Sequence, residues 1–327
     1  MSSQTDRIFA EFDGGGSLPR MMERLLAAQK KAWPDLQNNC LSLEKRLVRE
    51  LSSGESILRV EFNPGRINST SANTDARAVS SRACFLCRDN LPPVQKGILY
   101  RGEYLVLCNP YPIFENHFTA AKLEHTPQNI QGSIEAFLSL LTDLGPQFTI
   151  FYNGPDCGAS APDHLHFQAC PSGAIPVESV RYLPADRAFI SAGCGIYVVE
   201  DAGRAMVIVK SPDTAAIKTA LLKIIDSLKK RAAGKTEPLL NLIAWKAGKM
   251  YRAVLFPRRK FRPDCYYAAG EERVLVSPAA VEMGGLIITP LERDFGSMDF
   301  ARASAILREV SAGRDFIMEV LAGLQLT

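Results

Sequence analysis

Apolar residues along this chain change their spacing several times, and each change marks an element. Met22, Leu25 and Leu26 recur at helical spacing after Leu18-Pro19, and Trp33-Pro34-Asp35 interrupts them. Leu43, Leu47 and Leu51 continue in steps of four and predict a second helical stretch ending near Gly54, so residues 17–53 read as helical. Ser56-Ile57-Leu58-Arg59-Val60-Glu61-Phe62 then alternates, which predicts a strand. From Asn63-Pro64-Gly65-Arg66 to Ser81 the chain is polar with almost no core residues, the pattern of a mobile loop or a ligand-binding arm.

The centre reads as antiparallel sheet with one helix. Leu99-Tyr100, Tyr104 to Cys108 and Asn116 to Ala121 predict the strands of a meander. Thr126-Pro127 offers a hydroxyl cap followed by proline, a helix start, and Gly145-Pro146 a stop. Ile130, Ile134, Phe137, Leu138 and Leu141 give that helix one apolar face. Phe148 to Tyr152 predicts a strand, and a glycine-bearing loop from Asn153 to Asp163 leads into another that holds two histidines. Hairpins around Asp201-Ala202-Gly203 and Ala247-Gly248-Lys249 flank a basic amphipathic helix from Pro212 to Ala233, and residues 298–324 close the chain as helix. A mixture of hairpins and a helix in both halves predicts two pseudo-repeated lobes. The predicted organisation is an N-terminal helical segment over 1–55, a catalytic lobe over 56–175 and a second α+β lobe over 176–327.

Composition narrows the class. A chain of 327 residues that is 46% hydrophobic has material for a large core, in one bilobed or two ordinary domains. A net charge of +3 argues against nucleic acid as the main partner. The N-terminus lacks an apolar signal segment, and no apolar run approaches the roughly 20 residues that span a bilayer. The eight cysteines are scattered through a well-cored chain, which predicts a reduced, cytoplasmic protein without membrane attachment.

Chemistry concentrates around histidine. Only four occur, His117, His125, His164 and His166, the last two within His164-Leu165-His166-Phe167-Gln168. Imidazole suits both metal ligation and nucleophilic or acid–base work near neutral pH. On a strand, His164, His166 and Gln168 project from one face and offer two imidazoles and an amide to one ligand; polar residues on a wet sheet face are the plainer reading. Cys84 and Cys87 have the spacing by which two thiolates chelate zinc from one turn, though a redox pair or plain structural cysteines share that spacing. With no second Cys-x-x-Cys, His125 and His164 are the natural remaining ligands of a closed, structural site. His166 is then free to act as a nucleophile toward phosphorus. Arg66, Arg77, Arg82 and Lys122 are placed in sequence to neutralise a phosphate, and the loop around Gly158-Ala159-Ser160 offers backbone N–H groups and a hydroxyl to it. Trp245, Arg252, Arg258, Arg259, Lys260 and Arg262 form a basic stretch that either completes an acceptor site or is a surface loop.

These residues together resemble the transferase branch of the histidine-triad superfamily, which includes galactose-1-phosphate uridylyltransferases, diadenosine tetraphosphate phosphorylases and GDP-L-galactose phosphorylases. Gly158-Ala159-Ser160 followed by His164-Leu165-His166-Phe167-Gln168 is similar to the Gly-x-Ser and His-x-His-x-Gln of that branch. Phe62-Asn63-Pro64-Gly65-Arg66 resembles the GDP-L-galactose phosphorylases, and Asn109-Pro110-Tyr111-Pro112 with Glu115-Asn116-His117-Phe118 resembles the nucleotide-side element of the superfamily. The likeness covers roughly residues 57–170. It implies an antiparallel half-barrel sheet with flanking helices and a ping-pong reaction. His166 would take a nucleoside monophosphate from a nucleoside diphosphate sugar or dinucleoside polyphosphate and pass it to phosphate or a sugar phosphate. Gln168, where the hydrolase branch has a third histidine, goes with phosphorylases and transferases. The uridylyltransferase zinc set falls on Cys84, Cys87, His125 and His164, and pairing as a homodimer is frequent in the family. A non-catalytic nucleotide sensor and a zinc-dependent phosphoester hydrolase are the competing readings.

Overall fold

The computed structural model describes residues 7–71, 76–191, 193–232 and 234–324. Ile8–Phe12 (β1) precedes the helices Leu18–Ala32 and Pro34–Ser42, each carrying proline in its first turn, where a missing N–H costs nothing. Leu47–Ser53 (β2) and Ser56–Phe62 (β3) form a hairpin. A meander of Gly97–Tyr100 (β4), Tyr104–Cys108 (β5) and Phe118–Lys122 (β6) leads through the Ile134–Leu144 helix to the pair Phe148–Asn153 (β7) and His166–Pro171 (β8). The second half follows the same order: Arg187–Ser191 (β9), Cys194–Asp201 (β10) and Arg204–Ser211 (β11), the Thr214–Lys230 helix, then Leu240–Ala247 (β12) and Met250–Pro257 (β13). Leu286–Thr289 (β14) and the helices Phe300–Val310 and Arg314–Ala322 complete it.

Eleven strands make one sheet in the order β1-β4-β5-β6-β8-β7-β12-β13-β11-β10-β9. Its neighbours pair antiparallel except β1 with β4. The halves meet edge to edge where β7 pairs β12, Asn153 opposite Asn241 and Ile150 opposite Ala244. Alternation along the strands sends apolar side chains to both faces. On one face Val106, Phe167, Leu242 and Val207 pack under the helices Leu18–Ala32, Ile134–Leu144, Thr214–Lys230 and Arg314–Ala322. On the other, Ile208, Ile243 and Val254 pack under the Phe300–Val310 helix, the 274–288 segment and a small sheet, β14-β3-β2. The architecture is thus α+β, with a large, mostly antiparallel sheet and flanking helices. Among the described residues no helix is long and apolar enough to cross a membrane.

Three local expectations are corrected. Leu47–Ser53 is a strand, because a step of four residues returns a side chain to the same face of a strand as well as of a helix, and Gly54 at φ +60° turns the hairpin. Thr126-Pro127 does not start a helix; the Thr126 carbonyl accepts from the Leu165 amide, and the α-helix begins at Ile134. His164 lies before β8 and not on it, so it does not share a face with His166 and Gln168. The basic helix ends at Lys230, and Ala233, its expected end, lies outside the described residues, as do residues 1–6 and 72–75.

Candidate functional site

The tight turn at Cys84 closes by a bond from the Cys87 amide to the Cys84 carbonyl. It brings two sulfurs against two imidazoles: Cys84 Sγ lies 3.3 Å from His164 Nδ1, and Cys87 Sγ lies 3.1 Å from His125 Nδ1 and 3.6 Å from His164 Nδ1. All four ligand atoms fall within 4.8 Å of one another. Tetrahedral zinc, with bonds of about 2.3 Å to sulfur and 2.0 Å to nitrogen, would set S···N at about 3.5 Å. The outer nitrogens fit as well. His164 Nε2–H donates to the Lys122 carbonyl at 2.7 Å, leaving Nδ1 bare, and His125 Nε2 faces Asp163 Oδ2 at 3.7 Å. Metal-bound histidines are held this way. Burial and the adjacent Cys84 push the Cys87 thiol up to about 11, so a cation is what would favour the thiolate. These four residues can therefore hold a metal ion, and they clamp the polar loop to the start of β8.

His166 takes the opposite direction. It is the first residue of β8, buried, and opposite Ala121 of β6. Its Nδ1 lies 2.8 Å from the His164 carbonyl, which makes Nδ1 the protonated nitrogen and leaves Nε2 with a lone pair. Burial lowers its pKa to about 4, so the ring is neutral at pH 7. Its backbone is clamped by Gln128, whose Oε1 accepts from the His166 amide at 2.9 Å and whose Nε2 donates to the His166 carbonyl at 3.3 Å.

Two amides flank His166, and their orientations follow from their partners. His117 Nδ1 accepts from the Ile113 amide at 3.2 Å, so its Nε2 carries the proton and donates to Gln168 Oε1 at 2.9 Å. Burial and the nearby Arg66 lower the His117 pKa to about 3 and keep that tautomer neutral. With its oxygen occupied, Gln168 turns its NH2 group to the cavity. On β7, Asn153 Oδ1 accepts from Asn241 Nδ2 at 3.0 Å and from the Ala280 amide at 2.7 Å, which likewise leaves its NH2 group toward the cavity. Buried Arg258 stands behind, donating to Asn241 Oδ1 at 2.6 Å and to the Val310, Pro278 and Phe261 carbonyls. It fixes the walls and touches nothing in the cavity.

The cavity these groups share has a volume of about 700 Å³. Arg66, Arg82, Asn109, Asn153, Gly158, Ser160, His166 and Gln168, all expected at a site, line it. Arg77 does not; it is exposed on the short Ala76–Ser80 helix. Lys122 pairs with Glu124 at 3.5 Å and also lies outside the lining. Of the basic stretch only Arg262 reaches the cavity, stacked on Tyr266 at 4.1 Å, and Arg258 is structural. Gly158, at φ +96°, lies so close to the chain that a Cβ there would meet the Ala279 Cβ at 2.4 Å. Sequence reasoning missed Gln128 and the wall from Ser277 to Glu282, which carry no motif. It flagged His117 as one of a rare set and within the Glu115 to Phe118 element, but gave it no role, and the register that puts Thr119 opposite Gln168 is what gives it a partner.

Comparison with known proteins fits this geometry. Residues 25–171 match the family described as a domain of unknown function, DUF4922. A search of curated proteins gives no match. Among solved structures, yeast Ap4A phosphorylase Apa2 in complex with Ap4A is 13% identical at a TM-score of 0.54, covering 86% of this chain and 97% of that one. The same enzyme in complex with AMP is 16% identical at a TM-score of 0.54, covering 87% and 96%. This chain therefore shares the fold of yeast Ap4A phosphorylase Apa2.

Proposed function

We propose that the protein is a nucleotidyltransferase of phosphorylase type that works through a nucleotidyl-His166 intermediate. The observation that carries this reading is the His166 ring: Nδ1–H is tied to the His164 carbonyl, and bare Nε2 lies at a cavity flanked by the NH2 groups of Gln168 and Asn153. Nε2 attacks the α-phosphorus of a nucleoside diphosphate sugar or a dinucleoside polyphosphate. The N–P bond forms as the bond to the bridging oxygen breaks, and the electron pair leaves with the sugar phosphate or nucleotide. The His164 carbonyl stabilises the charge gained by the ring, while Gln168, Asn153, Arg66, Arg82 and the Ser160 loop bind the phosphoryl oxygens. Inorganic phosphate or a sugar phosphate then attacks the same phosphorus, and the N–P bond breaks.

Cys84, Cys87, His125 and His164 are assigned a structural zinc, whose contribution is to hold the knuckle against β8; their thiolate chemistry fits a reducing cytoplasm. We assign residues 1–55 to the nucleoside end, 56–175 to transfer, and 176–327 to the acceptor wall, with the two half-sheets as an ancient duplication. The test is intact mass after incubation with nucleoside diphosphate sugars and dinucleoside polyphosphates, with and without phosphate. A gain of one nucleotide that His166→Ala abolishes is expected. Binding without any covalent step would instead identify a nucleotide sensor.

A further inference from the structure

Side chains lining the cavity divide by hydrogen-bonding sense. Beside His166 the amides have their oxygens occupied and offer N–H groups, as anionic phosphoryl oxygens require. Under the Pro34–Ser42 helix the order is reversed. Gln95, buried, donates its Nε2 to the Cys108 carbonyl at 3.3 Å; Asn39 donates Nδ2 to the Pro110 carbonyl at 2.8 Å; Asn90 donates Nδ2 to the Cys84 carbonyl at 2.9 Å. A carbonyl oxygen can only accept, so each amide nitrogen is fixed in place and each amide oxygen is left for the cavity, which all three residues line. Asp35 adds a carboxylate at the rim. Leu107 and Pro92 supply apolar surface, and Trp33 a ring face with one N–H donor. This end sits at the Cys108 end of β5, two strands across and three residues along from His166, or about 14 Å at the usual strand spacing and rise.

We infer that this acceptor-rich end is a nucleobase subsite selective for guanine. The inference rests on the nucleotidyl-transfer reading and names the substrate class of that site. Guanine presents adjacent N1–H and 2-amino donors, which match the paired oxygens of a carboxylate or the oxygens of two amides. Uracil presents two carbonyls around one N–H, and its oxygens would face the oxygens of Asp35, Asn39 and Gln95. Adenine has one amino group beside ring acceptors. A site built to pair with donors discriminates against a base that lacks them, because its own polar groups are left unpaired.

The test is calorimetric binding of GMP, IMP, AMP and UMP to the full chain; monophosphates carry no leaving group, so binding is read without turnover. GMP is expected to bind at least about tenfold tighter than IMP, which lacks only the 2-amino group, and tighter than AMP or UMP. Asp35→Ala, at an exposed position that leaves the fold intact, and Gln95→Met should each reduce the GMP-over-UMP preference by about tenfold. Equal affinities, UMP binding tightest, or a preference unchanged in both variants would overturn the guanine subsite. Binding without base preference leaves covalent transfer to His166 standing. No binding by any base, with no mass gain from nucleotide sugars, overturns both readings.

Discussion

The two halves of the large sheet share an order of meander, helix and hairpin, yet they use the same face in opposite ways. In the first half that face carries Thr119, His166 and Gln168 and opens on the cavity. In the second half it carries Ile208, Ile243, Val254 and Phe256, and is covered by Val281, Met283 and Leu307. A half-sheet face is either covered by apolar residues or furnished with polar groups that satisfy one another. Here the two choices are coupled: the segment that covers the second half overhangs the first, so that Ser277, Ala279 and Glu282 wall the cavity. One half lines the cavity with polar groups and the other provides its roof.

The largest expected effect comes from removing the group that distinguishes the open half. His166→Ala should lower turnover by about 10⁴-fold or more, with the unfolding midpoint nearly unchanged. Retained turnover in that variant would erase the distinction. In the covered half, Phe256→Ala should cost about 3–5 kcal/mol in urea unfolding, whereas Thr119→Ala in the open half should cost less than about 1 kcal/mol. Equal costs would mean that the two faces are not packed differently.

Metal removal probes the knuckle that anchors the open half. If zinc is present at a thousandfold over its dissociation constant, chelation should lower stability by about 4 kcal/mol, and Cys84→Ser should remove the effect of the chelator. A full metal load in Cys84→Ser would take Cys84 off the ligand set. His117→Phe sharpens the comparison further. It frees Gln168 to turn, and should lower kcat by about 10–100-fold while KM stays within about threefold, a split that simple destabilisation does not produce.

The smallest effect lies at the seam between the halves. Glu237, just before β12, accepts from the Ile130 amide at 2.6 Å and the Tyr152 hydroxyl at 2.7 Å, both from the first half. Burial outweighs these bonds and raises its pKa to about 7, above the ordinary value of about 4.3. Between those values the folded protein holds a proton that the unfolded chain has released, so stability falls as pH rises from about 4.5 to about 7 and levels off above. Glu237→Gln should flatten this slope by about 1–2 kcal/mol, read from urea midpoints across that range. Buried Glu61, also held up at about 7 by burial, supplies a slope that the variant should retain.

Much of this was legible in the chain. Period-two runs gave the β3, β5 and β7 strands and both second-half hairpins, and glycine-bearing turns placed their ends. The cysteine pair and rare histidines gave the four residues that can hold a metal ion, because ligand chemistry restricts residue type and spacing. What failed was local ambiguity: Leu47 and Leu51 fit a strand as well as a helix, and Thr126-Pro127 had the chemistry of a helix start but a tertiary hydrogen bond to satisfy. β1 and β14 were missed because each is short and is stabilised by pairing with a distant strand, and β9 is a short edge strand held only by β10 among the described strands.

The sequence by itself determined the kinds of groups available and the faces they occupy, since alternation and ligand spacing are local properties of the chain. Tertiary structure decided their direction and use. It turned His164 to the Cys84, Cys87 and His125 cluster and His166 to the cavity, although one residue separates them, because β8 begins at His166. It also decided which atom of each amide faces the ligand. Gln168 and Asn153 present nitrogen, and Gln95 and Asn39 present oxygen, because their opposite ends are held by partners that only pairing between remote segments supplies.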